Sequence, residues 1–176
     1  MVRLIFLAAL LAYIWFQSLF VQTAHMVVGE RHIFGYNRIG LVLGLGFNIV
    51  PIAMAWFLWR VKKDRTGAAI FLLAIPLFAV AVLPQLLMER VELTSTKLIH
   101  RREPPHTRYN ADITMDEITS AVELVYQNGL KGYTFKLKDG REVKLPANTV
   151  LTAARDTIAA ELARRSIPVI TRPITR

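Results

Sequence analysis

Cysteine is missing from all 176 residues. That excludes disulfides, thiolate metal sites and cysteine nucleophiles, and it leaves the redox compartment unread. Acidic residues are scarce in the first half. Residues 1–90 hold three acids against eight Lys and Arg, whereas 91–176 hold ten against fourteen. No acid or base stands deep in any of the long apolar runs, which argues against a proton pump or an ion-coupled transporter. No catalytic motif is recognisable. The net charge of +9 is not gathered into one patch, and charge without a patch does not point to nucleic acid.

What the chain has in plenty is hydrophobic residues, 53% of the total, concentrated between Leu4 and Met88. Three runs, at about 4–28, 39–59 and 66–88, are each long enough to cross a hydrocarbon core of about 30 Å. The first is longer than the apolar core of a signal peptide and lacks a small-x-small cleavage site, so it reads as an uncleaved span. Gly40 and Gly44 form a Gly-x-x-x-Gly pair, which lets another helix approach closely; Asn48 is expected to bond across that contact. The connection Gly29–Arg38 reads as a short solvated loop. Four basic residues in Arg60–Arg65 against two in Gly29–Arg38 favour the cytoplasm for that turn and for Met1. Arg90, Lys97, Arg101 and Arg102 pull the C-terminal half the same way, so its side is unresolved.

The C-terminal half has a different texture. Residues 1–89 read as a transmembrane domain, 90–170 as one small soluble domain, and 171–176 as a tail. Arg90–Arg102 predicts a hairpin around Ser95-Thr96-Lys97. In Tyr133–Pro146, alternating strands flank Asp139-Gly140, a strong hairpin signal. One face of that hairpin is apolar; the other presents Lys136, Lys138 and Lys144, candidates for an anionic ligand or lipid headgroup. A helix is expected at about Thr152–Arg165, with Ala154, Ile158 and Leu162 on one face. Ile113–Tyr126 is ambiguous. Thr114-x-x-Glu117 is a capping box, and Ile118, Ala121, Val122 and Val125 have helical spacing. Yet Val122, Leu124 and Tyr126 alternate as in a strand, and periodicity alone favours the helix.

The segments Val91–Ile99, Asp116–Leu124 and Tyr133–Pro146, followed by an amphipathic helix, resemble the bacterial pleckstrin-homology-like domains. The resemblance covers roughly the last half of the chain. It implies a seven-stranded barrel capped by a C-terminal helix, with a strand at Ile118–Tyr126. Three preceding spans depart from the two-helix hairpin common in that family. The family has no shared catalytic residues to carry over.

The expected fold is therefore three transmembrane helices plus a small α+β or PH-like β-barrel domain. The expected localisation is the bacterial cytoplasmic (inner) membrane, multi-pass. The expected function is that of a non-enzymatic accessory or scaffold subunit of a larger membrane complex. A module for anionic lipid or a small anionic ligand is the alternative, and an oligomeric pore a third reading. No catalytic residue, cofactor or metal ligand is assigned. His100 and His106 with Glu103 or Asp112 are too scattered to fix a metal geometry. The partners expected are membrane lipid and either another protein or further copies of the chain, with no nucleic acid.

Overall fold

The structure is a computed structural model. It describes residues 22–37, 49–73 and 83–174, with 39, 42, 46, 75, 76 and 80. The described residues fall into two compact units, the first within Tyr36–Leu87 and the second Thr23–Gly35 with Met88–Arg176.

The expectation of three spans fails on the described residues. None of their helices is long and apolar enough to cross a membrane. In the first unit α1 is Ile49–Arg60, α2 Arg65–Leu72 and α3 Leu83–Met88. The longest has twelve residues, about 18 Å of helix against a core of about 30 Å. This overturns the three-helix membrane fold, the accessory membrane subunit built on it, and the multi-pass inner-membrane localisation. The end of the first run is strand, β1 (Thr23–Val28), and the expected loop is largely strand too, β2 (Arg31–Tyr36). Hydrophobicity averaged over a long window cannot separate an apolar strand from a span. Gly29, at φ 62°, turns the chain between the two strands, and β-branched and aromatic residues suit the pleat. Asp64 ends the Arg60–Arg65 turn by capping α2, its carboxylate accepting from the Gly67 N–H at 2.9 Å. Ala55 and Leu58 of α1 pack with Ala68 and Phe71 of α2.

The second unit is built on two sheets. The first runs β1-β2-β3-β4-β5 in space, with β3 at Arg90–Leu93, β4 at Lys97–Arg101 and β5 at Ala111–Thr114. Its inward rows follow from the register: Phe34, Val91, His100 and Ala111 lie side by side, as do His32, Leu93, Leu98 and Ile113. All of these except His32 are buried. The second sheet is ordered β8-β7-β6-β9, with β6 at Ile118–Tyr126, β7 at Lys131–Leu137, β8 at Glu142–Asn148 and β9 at Val169–Ile174. Ala121, Phe135, Tyr133 and Leu145 face its core. Between β8 and β9 come α4 (Thr149–Ala153) and α5 (Arg155–Arg164). Val150, Leu151, Ala154, Ile158 and Leu162 from this stretch are fully buried.

Ile118–Tyr126 is thus a strand, against the helical periodicity. The ladder to β7 is irregular between Ile118 and Ser120. A bulge moves the inward set by one residue, so Ile118 and Ala121 both point inward, three apart. That spacing imitates a helical face. Thr114 makes no side-chain cap, and its capping box becomes a short 3-10 turn at Met115–Glu117. The last residues, read as a tail, include β9, which runs parallel to β6.

Candidate functional site

Three buried polar arrangements hold the second unit. His100 lies on β4 with no exposure. Its Nδ1 is 3.0 Å from the Tyr109 carbonyl oxygen and must donate there. Its Nε2 then accepts from Asn148 Nδ2 at 3.1 Å. The amide of Asn148 is oriented by its own cap, since its Oδ1 accepts from the Leu151 N–H at 2.6 Å. Burial holds the imidazole below the ordinary histidine range, against the opposing bond to Tyr109. His100 is consequently a neutral pin between the first sheet and the start of α4.

Glu123, on β6, is buried but charged. Burial pushes its carboxyl up, while Arg155 and Thr171 outweigh that and hold it below the usual carboxylate range. Arg155 Nε donates to it at 2.6 Å and the Thr171 hydroxyl at 3.1 Å. Beside it, burial and the Glu123 carboxylate raise the Tyr133 hydroxyl far above its ordinary value. A third group lies at the foot of the first sheet. Arg102 Nε is 3.2 Å from Glu89 Oε1, and its Nη2 is 3.7 Å from Glu103 Oε1.

One open cleft of about 710 Å³ indents this unit. Glu30 comes from the β1–β2 turn, His32 from β2, Leu93 from β3, and Thr94 and Ser95 from the turn after it. The opposite wall is one face of α5: Asp156, Thr157, Ala160, Glu161 and Arg164. These follow helical spacing on the side away from Ala154, Ile158 and Leu162. Arg165 fastens the wall to the floor, bonding Glu161 at 2.8 Å and also Asp116 and the Ser95 carbonyl. Burial raises the Glu161 carboxyl, but Arg164 and Arg165 prevail and keep it below the usual range. Asp156 points into water, its side chain 92% exposed. Three carboxylates therefore line the cleft, Glu161 held by Arg164 and Arg165 and Asp156 3.3 Å from Arg155, with the exposed Ala160 between them and Leu93 buried beneath. The Ser95 hydroxyl donates to Glu30 Oε2 at 3.2 Å. His32 Nδ1 meets His25 Nε2 at 3.0 Å, and the His25 ring stacks on Phe34 at 4.2 Å.

None of the residues proposed from the sequence for helix packing or for an anionic ligand lies in this cleft. Lys136 and Lys144 are exposed on the outer face of the second sheet, where Lys136 is opposite Glu142 and Lys144 opposite Thr134. Lys138 is exposed in the turn after β7, its N–H donating to the Glu117 carbonyl at 2.8 Å. Gly40, Gly44 and Asn48 lie outside the described residues. His106 is 4.0 Å from Glu103, but His100 is committed to Tyr109 and Asn148. No three potential metal ligands converge among the described residues. The cleft escaped the sequence because its residues come from three separated segments without a local motif. The one signal was the polar stripe Asp156, Thr157, Glu161 and Arg164 behind the apolar face of α5. A scan against protein-family models found no family that matches the chain, and a search of curated proteins found no match.

Proposed function

We propose that the second unit is a non-catalytic binding module whose cleft takes a cationic peptide segment rich in Lys or Arg. The observation that carries this reading is the lining: Glu30, Asp156 and Glu161 lie around the exposed Ala160, in a chain whose net charge is +9. Carboxylates attract an ammonium or guanidinium, and Ala160 meets its methylene stem. Thr157, on the α5 wall, places a hydroxyl beside the peptide backbone. The non-catalytic reading is supported by how the candidate groups are committed. The Ser95 hydroxyl bonds an exposed carboxylate, the His32 bond goes to His25, and His100 is a structural pin. We further read the unit as related to the PH-like domains. The hairpins followed by a helix support this, while β9 after the helix is a departure.

The test is calorimetric titration of the full chain with a short alternating Lys-Ala peptide, and with Glu-Ala and Ser-Ala peptides of equal length. Binding is expected for the first alone and should weaken with salt. The Glu30→Gln/Asp156→Asn double variant should reduce affinity by about tenfold, the equivalent of one good charged contact, with an unchanged circular dichroism spectrum. Equal binding of the Ser-Ala peptide, or full affinity in the double variant, would sink the proposal.

A further inference from the structure

The outer face of the second sheet is a separate surface with its own chemistry. Past the bulge, Ala121 and Glu123 are buried on the inner side, so Val122, Leu124 and Tyr126 point outward. The parallel register sets Ile170 beside Val122 and Ile174 beside Tyr126. Four of these five are partly exposed and Ile170 is 61% exposed. Leu124 faces Gly132 on β7, which offers no side chain to cover it. That glycine is fixed, because a Cβ there would stand 3.0 Å from the Ala147 nitrogen and the Leu145 oxygen. The strip from Val122 to Tyr126 is about 13 Å long, which matches about nine residues of helix. Cations border it. Arg172 sits beside Leu124, and Lys136 and Lys144 lie on the neighbouring strands, with Glu142 as the acid opposite Lys136.

We infer that this face docks an acidic amphipathic segment of another protein, laid with its apolar side on Val122, Leu124 and Ile170 and its carboxylates toward Arg172, Lys136 and Lys144. Charge complementarity selects this occupant. A second copy of the chain would bring the same cations to the same rim, and facing like charges disfavour association. An apolar strip with a basic border fits a ligand that carries apolar anchors at helical spacing and acids beside them.

The probe is a fluorescent 14-residue peptide of Glu and Leu with leucines at helical spacing, titrated into the full chain and read by anisotropy. The controls are a scrambled peptide of the same composition and anionic phospholipid vesicles. Saturable binding of the patterned peptide is expected, about tenfold weaker in Ile170→Ser and in Lys144→Glu/Arg172→Glu. Ile170 is exposed, so its replacement leaves the core intact. Equal binding of the scrambled peptide would overturn the inference, because charge alone would then suffice. So would undiminished binding in Ile170→Ser. Vesicle binding without peptide binding would give the face to a lipid surface, and a dimer that Ile170→Ser dissociates would give it to a second copy. Either result overturns the inference as stated.

Discussion

The two sheets of the second unit each enclose a polar side chain, and they do it with opposite chemistry. In the first, His100 is neutral and held by two uncharged partners, a carbonyl and an amide. In the second, Glu123 is ionised and held by Arg155 and Thr171. The neutral pin needs exact tautomers but no counter-charge. The ionised one needs a cation, and Arg155 reaches it from the surface with 45% of its side chain exposed. A neutral group can therefore sit in the interior of its sheet, whereas the charged one lies where solvent still reaches its partner. Arg102, with Glu89 and Glu103 around it, departs from this pattern: all three are largely removed from water.

That departure gives the largest expected effect. Arg102→Leu leaves two carboxylates in a dry site and should cost about 3–5 kcal/mol in urea denaturation. A loss below about 1 kcal/mol would mean that the group is wetter than its burial implies, and the contrast between the sheets would dissolve. Next in size is Glu123→Ala. It removes the bonds to Arg155 and Thr171, for an expected loss of about 1–2 kcal/mol, reduced because Arg155 can return to water. Amide exchange in Val169–Ile174 should accelerate more than in β7; uniform acceleration would show that Glu123 is not what holds β9.

The smallest effect is a pH dependence that separates the two chemistries. The folded pKa of His100 lies below its ordinary value of 6.5, so the unfolded chain takes the proton first. Its contribution is complete above about pH 6.5 and is lost as pH falls toward the folded value, at no more than about 1.4 kcal/mol per pH unit. Glu123 acts lower down. Its folded carboxyl lies below 4.5, so its contribution is present above that and is lost as pH falls through the folded pKa. His100→Gln should flatten stability between pH 6.5 and 5.5 and leave the more acidic step in place. An unchanged upper step would show that another group produces it.

The hairpins at Arg90–Arg101 and Lys131–Asn148 were legible because their turns and alternation are local. The buried face of α5 was legible too, since Ala154, Ile158 and Leu162 repeat every four residues. The strand at Ile118–Tyr126 was hidden by its own bulge, which gave Ile118 and Ala121 a helical interval. Thr23–Tyr36 was obscured differently. Its strands continue an apolar run, and the partner of β2 on its other side, β3, lies far along the chain. The cleft was the least legible part, because Glu30, Ser95 and Glu161 meet only after both sheets and α5 have assembled.

Gly35 of β2 and Arg90 of β3 are direct partners across the ladder, although residues 36–89 separate them in the chain. The chain thus departs from the first sheet at Gly35 and rejoins it at Arg90 through a doorway about 5 Å wide. Whatever occupies the interval is an excursion from what would otherwise be an ordinary hairpin. Once the doorway is shut, doubling the length of such an excursion costs only about 0.6 kcal/mol of closure entropy. The sheet is accordingly indifferent to how long that interval is, and a short turn spliced between β2 and β3 would leave every strand of the second unit with the neighbour it has now.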